Sequence, residues 1–269
     1  DISTGEFILA EGDVKYIDKL LQSLRPSEII YQKESNRRFQ QDFNYKCSKF
    51  MLDEWVFNTD YADELLIRQF STNSLKGFGV DKLKNGIIAA GAALHYLKET
   101  KHDHTSHILS IHRIETELYV WMDRFTIRNL ELFSSPNLEG KSLIQVLDNT
   151  KTAMGARMLR RWIALPLKDE KEIKRRHNIV EDFITHNDIT EEIILKLEKV
   201  GDLERLASKL ATLRVNPKEC AQLKNALISV LEIKNLGILS GASNDLMILL
   251  ENIDDCNEII RMIEKELVD

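Results

Sequence analysis

Histidines come closest to a reactive constellation in this chain. His102-Asp103-His104 is followed by His107 and His112, and imidazoles at such spacing are the right type to ligate zinc. A zinc site also needs fixed geometry and outer partners that orient the rings. This cluster falls in a polar stretch, residues 101–110, so a solvated linker is the competing reading. His95, His177 and His186 are scattered and are expected at helix surfaces. Carboxylates are plentiful, but most stand three or four residues from a Lys or Arg, as Glu172 does from Arg176. That is the spacing of surface pairs along one helix face. The run Met158-Leu159-Arg160-Arg161-Trp162 places two cations near a helix C-terminus, where the macrodipole favours them. A structural role suits these arginines better than a catalytic one, and Leu159 and Trp162 are expected to pack. The aromatics do not interleave with basic residues as a platform for single-stranded nucleic acid would. The phosphate-cradling GxxxxGK(S/T) loop is absent, as are GxGxxG, HExxH and GxSxG. Taken from the residues alone, the chain is a scaffold with no catalytic, cofactor-binding or metal-ligating residue assigned.

The elements that carry these residues change character along the chain. Residues 1–110 predict mixed α/β structure. Residues 2–10 have strand character, and Asp13 caps a helix over 14–24 that Pro26 stops. Residues 28–32 form a short buried-strand pattern, and Ser35 can cap a polar helix through Phe43. Residues 49–57 predict another strand, and Thr59 or Asp60 opens a helix through Phe70. Gly77-Phe78-Gly79 is a tight loop. The helix over 85–99 is rich in Gly and Ala, which permits close backbone approach. Such alternation suggests a twisted sheet with helices on its faces.

Residues 111–269 predict a helical domain. Residues 118–122 are one strand candidate, and everything beyond about 124 is helical. Thr152 caps a helix over 153–164 that Pro166 closes, and Asp169 with Glu172 resembles a capping box for a helix through Ile184. Apolar positions recur at helical spacing over 189–213. Asn216-Pro217-Lys218-Glu219 is a strong helix start, and 244–267 reads as one long amphipathic helix. The fold class is therefore α+β: an incomplete α/β domain over 1–110, then an all-α domain over 111–269.

Composition agrees with long helices. Of 269 residues only 4 are Pro and 11 are Gly, well below average usage. No apolar run approaches a membrane span. Three scattered cysteines, Cys47, Cys220 and Cys256, form neither a disulfide framework nor a CxxC pair and fit a reducing, cytoplasmic compartment. The net charge is −6, which argues against a dedicated nucleic-acid-binding domain. It is unevenly spread. Residues 120–177 hold 12 basic and 7 acidic side chains, whereas 178–269 hold 10 basic and 18 acidic. The basic stretch either faces the acidic remainder of its own chain or contacts a nucleic-acid backbone as an autonomous DNA-binding module. The abrupt opening at Asp1 and the uncovered apolar stripe at the end suggest a piece of something longer.

Several stretches in order resemble the bacterial MutS mismatch-repair family. They are Asp1-Ile2-Ser3-Thr4-Gly5-Glu6-Phe7, Pro26-Ser27-Glu28-Ile29-Ile30, and Gln69-Phe70 before Gly77-Phe78-Gly79-Val80. Next come Met122-Asp123, Thr126, Arg128-Asn129-Leu130-Glu131, Ser142-Leu143 and Val146-Leu147-Asp148. The longest is Thr150-Lys151-Thr152-Ala153-Met154-Gly155-Ala156-Arg157-Met158-Leu159-Arg160-Arg161-Trp162, before Pro166-Leu167 and Gly201-Asp202-Leu203-Glu204-Arg205-Leu206. The resemblance implies an RNase-H-like connector domain followed by the first portion of the core, or lever, domain. It implies that the mismatch-reading domain would lie before residue 1, and the clamp and ATPase after residue 269. No cofactor is expected in these residues, and ATP with Mg would belong to the longer protein. The implied role is a non-catalytic segment that couples an ATPase to a DNA clamp and offers a surface to MutL. The implied setting is a bacterial, cytoplasmic, nucleoid-associated homodimer that binds mismatched duplex DNA, with no membrane. Asp148, Thr152, Gly155, Arg157, Arg160, Trp162, Pro166, Asp202, Glu204 and Arg205 fall on family-signature positions. Arg157, Arg160, Asp202, Glu204 and Arg205 are expected to form Arg–carboxylate pairs between helices, and Gly155 to permit close helix packing. The helix 61–70, with Asp63 and Glu64, is the expected MutL-facing side.

Overall fold

The computed structural model describes residues 1–43, 45–100, 105–114, 118–137, 139–239 and 243–267. The chain divides into two compact units. The first comprises residues 1–116 with 121–140, and the second 117–120 with 141–269.

In the first unit, β1 (Ile8–Leu9) precedes α1 (Val14–Leu24), which Asp13 caps by accepting the Tyr16 N–H at 2.8 Å. β2 (Glu28–Gln32) leads through a 3-10 turn into α2 (Asn36–Asp42). β3 (Ser48–Leu52) is followed by a 3-10 turn, Glu54–Phe57, then α3 (Thr59–Gln69) and α4 (Lys84–Glu99). β4 (His112–Arg113) and α5 (Arg124–Asn129) complete it. The strands form two separate two-stranded parallel sheets, β1 with β4 and β2 with β3.

Two expected strands are shorter than their patterns. Of residues 2–10 only two are strand, because Asp1 pulls the chain into a turn by accepting the Ser3 N–H at 2.8 Å, and Gly5 turns it at φ +76°. The strand expected over 49–57 stops at Leu52. Asn58 then accepts the N–H groups of Asp60 and Tyr61, so the helix cap lies one residue before the expected start.

The core of this unit is the α3–α4 crossing, with Ala62, Leu66, Ile87, Ala90 and Leu94 buried. Gly91 sets the approach: a Cβ there would lie 2.6 Å from the Ala62 Cα, and a backbone atom cannot swing aside. Gly86 likewise leaves room for Leu9, and Ala92 packs with Leu52 and Val56, so the small residues of α4 admit close neighbours on several sides.

The second unit is helical. α6 (Leu143–Leu147) opens with a reciprocal capping box between Ser142 and Gln145. α7 (Ala153–Ala164) and α8 (Glu170–Thr185) follow, capped by Thr152 and Asp169. Glu172 does not reach back to that cap; its carboxylate holds Arg175 at 3.0 Å. α9 (Asn187–Val200), α10 (Leu203–Ala211) and the 23-residue α11 (Pro217–Leu239) come next. The Asn216 side chain caps the Glu219 N–H and Glu219 returns to the Asn216 N–H, at 2.9 and 3.1 Å. Among the described residues the strand candidate at 118–122 makes a single bridge, Tyr119 to Leu167.

Two long helical patterns are interrupted. The run over 189–213 breaks at Gly201, whose φ of +67° ends α9 and leaves Asp202 to cap α10. The run over 244–267 is two helices, α12 (Asn244–Glu251) and α13 (Asn257–Glu266). Asp254 captures the Cys256 N–H at 2.7 Å, and Lys234 of α11 takes the Ile253 carbonyl at 2.8 Å. These bonds give the backbone an alternative to the helix ladder, which apolar periodicity does not register.

Gly91→Ala should destabilise the first unit by about 2 kcal/mol through overpacking against the α3 backbone. Urea unfolding of the wild-type and variant chains measures it, and an unchanged midpoint would contradict this account of the crossing.

Candidate functional site

The charged residues singled out from sequence converge where α7 meets the start of α10. The segment before α7 is built from local bonds. Asp148 accepts the Thr150 N–H and hydroxyl at 3.2 and 2.6 Å, and Thr152 accepts the Gly155 N–H at 3.0 Å. A side chain on Gly155 would meet Thr150 and Thr152, at 3.3 and 3.2 Å. The space that glycine leaves is therefore taken by its own preceding turn, not by another helix, which corrects the expectation of helix–helix packing.

Arg157 projects from the second turn of α7. Its Nη1 and Nη2 donate to the two oxygens of Asp202 at 2.9 and 2.7 Å, and its Nε donates to Glu204 at 3.0 Å. A second bond from Nη2 also reaches Glu204. The Gly201 break makes this possible, because it puts Asp202 and Glu204 at the exposed N-terminus of α10 instead of inside a longer helix. Asp202 does two jobs, accepting the Arg205 backbone N–H at 3.4 Å while holding Arg157. Lys151 and Glu198, 3.3 Å apart, add a second tie from the α7 side to α9. Arg160 stands one turn further along α7 and is partly buried.

Side-chain exposure is 27% for Arg157 and 19% for Asp202, so water screens the pair incompletely. Hydrogen bonding to Arg157 holds the Asp202 carboxyl below its usual range, outweighing the opposing effect of burial. Asp202 in turn holds the guanidinium above its usual value. A planar guanidinium that fills a carboxylate bidentately is the strongest geometry available to such a pair. It holds two helices in one register and carries no reactive group.

Trp162 is partly exposed, and the Arg176 guanidinium covers one face of its ring, 3.7 Å above the ring centre. Burial there pushes the Arg176 pKa down. The expected Glu172–Arg176 pair is thus replaced by Glu172–Arg175, because Arg176 covers the indole. Pro166 closes α7 and its carbonyl accepts the Val120 N–H at 2.7 Å.

In the other unit, Glu64 on α3 is exposed and pairs with Arg68 at 2.8 Å, while Asp63 is half-buried. Of the histidine cluster, residues 102–104 lie outside the described residues. His107 donates from Nε2 to the Ile2 carbonyl at 2.6 Å, and His112 bonds Ser110 at 2.9 Å. Among the described residues no group of three His, Cys, Asp or Glu could hold a metal ion. His95 is not at a surface but buried, with Tyr61 hydroxyl at 2.8 Å from Nδ1 and Glu99 at 3.2 Å from Nε2. The i, i+4 spacing of His95 and Glu99 was its only sequence signal.

Comparison with known proteins falls on both units. The pattern of MutS domain III matches residues 125–269, more than half of the chain, and that of MutS domain II matches residues 1–109. The chain belongs to the MutS family. It is 46% identical over 270 residues to the DNA mismatch repair protein MutS of Cytophaga hutchinsonii, covering 99% of this chain and 31% of that protein. It is 49% identical over 240 residues to MutS of Flavobacterium psychrophilum, covering 89% of this chain and 28% of the relative. The Parabacteroides distasonis MutS is 46% identical over 267 residues, with 99% and 31% covered. The chain thus spans about a third of the length of the curated relatives it matches. The Arg157 network lies within the MutS domain III match, and Asp63, Glu64 and His95 within the MutS domain II match. Among the described residues no helix is long and apolar enough to cross a membrane.

Arg157→Ala should cost about 2 kcal/mol, because it leaves Asp202 and Glu204 facing each other without their shared cation. Arg157→Lys should recover only part, since an ammonium cannot bond both carboxylates in one plane. The pH dependence has a definite sign. A carboxyl whose folded pKa is depressed stabilises the fold fully above the ordinary value of 3.8, and loses that contribution as pH falls through the folded pKa. The wild-type advantage over Arg157→Ala should therefore persist from neutrality to about pH 4 and shrink below it. Chemical denaturation at a series of pH values measures it.

Proposed function

We propose that this chain is a mechanical, non-catalytic segment of a MutS-like DNA mismatch repair protein. Its helical unit couples a nucleotide site to a DNA-gripping clamp, both contributed by other parts of the longer protein, and its α/β unit offers a surface to MutL. The observation that carries this reading is the Arg157–Asp202–Glu204 joint. It ties α7 to α10 in one geometry, so that displacement of one helix is transmitted to the other instead of being absorbed.

The 23-residue α11 extends that logic over about 35 Å. It is held to α9 by Lys196–Glu232 at 2.7 Å, to α10 by Lys209–Glu219, and to the turn after α12 by Lys234–Asp255 at 2.6 Å. Packed helices pinned at several points shift between discrete arrangements, which is what a lever needs. ATP and Mg are assigned to the longer protein, since the sequence has no GxxxxGK(S/T) loop. In this reading nucleotide chemistry, mismatch reading and homodimer formation belong to other parts of the longer protein, in a bacterial cytoplasm.

The alternative of an autonomous DNA-binding module is disfavoured by how the basic stretch uses its charges. Lys151 and Arg157 face carboxylates of α9 and α10, while Lys174 and Arg175 pair with Glu170 and Glu172 on their own helix.

Two measurements test the proposal. In a full-length MutS polypeptide containing this segment, Asn225→Pro places a helix breaker at an exposed position inside α11 and should uncouple mismatch binding from nucleotide exchange. Asn225→Gly should do so weakly. A folded Pro variant with unchanged coupling refutes the lever. In a gel shift, the chain alone should bind duplex DNA weakly and without mismatch preference. Tight binding with a steep salt slope would favour the DNA-binding module.

A further inference from the structure

The chain passes between its two units three times: after residue 116, after Val120 and after Gly140. Two of those crossings exist only because residues 121–140 return to the first unit. Val120 is held in the second unit, where its N–H donates to the Pro166 carbonyl at 2.7 Å and the Leu118 carbonyl accepts the Lys168 N–H at 2.9 Å. The next residue, Trp121, packs edge-on against Tyr16 of α1, with ring centres 5.0 Å apart. No spacer separates these two attachments.

Beyond Trp121 the chain lies along α1. α5 packs against α1, and Ile127, Leu132 and Phe133 are buried. Arg25, the C-cap of α1, sets its guanidinium 5.2 Å from the Phe133 ring centre. Asp123 caps α5 by accepting the Thr126 N–H at 2.7 Å. That bond, with Lys19 of α1 adding to it, holds the Asp123 carboxyl below its usual range. Two features oppose this closed arrangement. The Tyr16 hydroxyl is buried with no hydrogen-bond partner among the described residues, a loss that water would repair. Arg25 and Glu131, at the ends of α1 and α5, both sit at φ +49°, where a side chain crowds its own backbone.

We infer that residues 121–133 form a releasable strap on α1. Closed, it ties the two units by three crossings of the chain. Open, residues 121–140 become a loop of the second unit and one crossing remains. The strap lifts as one piece, because its holds on α1 stand at its two ends, Trp121 on Tyr16 and Phe133 under Arg25, while α5 between them keeps its own cap. Lifting returns water to the Tyr16 hydroxyl, which offsets part of the apolar surface exposed. A joint of this kind switches two bodies between tied and free without breaking any element of either.

Hydrogen exchange on the full 269-residue chain tests the strap. Amides of residues 121–133 should exchange together, and faster than those of the α3–α4 core. Trp121→Ala should speed exchange throughout that segment about tenfold and leave α9 and α11 unchanged. Tyr16→Phe keeps the ring and removes the unpaired hydroxyl, so it should slow exchange of the segment several-fold. A hydroxyl that merely supports the fold would give the opposite sign, and this variant decides the matter if Trp121→Ala does not fold. Exchange of the segment at the rate of the α3–α4 core, or piecemeal exchange of its amides, overturns the strap. So does unchanged or faster exchange in Tyr16→Phe.

Discussion

The guanidinium of Arg157 holds its N–H donors in one plane, and the helical unit is arranged to fill that plane. Asp202 takes two donors side by side and Glu204 takes Nε. Both carboxylates can reach because Gly201, at φ +67°, ends α9 and starts α10 with its acidic residues foremost. The same break gives α10 an anionic N-terminus, which its helix dipole favours. Backbone conformation, helix capping and ion pairing are therefore not three separate features. Asp202 caps a helix and binds an arginine with one carboxylate, so loss of either function would loosen the other.

That coupling explains why the charge distribution along the chain misleads when read as a potential surface. Residues 120–177 are basic and residues 178–269 are acidic, which could signal an outward basic face. Instead Lys151 and Arg157 are turned toward the acidic helices that come later in the chain, Lys151 to Glu198 and Arg157 to Asp202 and Glu204, while Lys174 and Arg175 pair along their own helix. Opposite charges far apart in sequence are folded together, and their cost in desolvation is moderate because each group keeps part of its surface in water.

Much of the fold is legible in the residues alone. Helix starts written with Asp, Thr or Asn side chains, as at Asp13, Thr152 and Asn216, fall where the capping chemistry puts them, because a cap is a local bond between a side chain and a backbone N–H two or three residues on. What escapes is non-local or competing. The break between α12 and α13 depends on Lys234, some twenty residues earlier in the chain, reaching the Ile253 carbonyl. Apolar periodicity continues straight through that break. The pairing of Arg157 with Asp202 spans 45 residues. The sequence could offer the residue types for it, but not the geometry. His95 looks like a surface residue because its partners are an i, i+4 carboxylate, ordinary on any helix, and a tyrosine 34 positions away.

The two units solve the problem of rigidity differently, and each suits the role proposed for it. The helical unit is pinned by ion pairs at defined points, and hydrogen bonds from Asn178 to Asp245 and from the Ser243 N–H to Asp182 add ties between α8 and the start of α12. Such ties are directional: they fix register along a helix. The α/β unit is held by close backbone approach at Gly91 and Ala62, where no rotamer can relieve a clash. A body fixed that way does not change shape readily. Preordering of that kind removes part of the entropy lost on docking. A lever benefits from joints with discrete alternatives, and a docking surface benefits from having none.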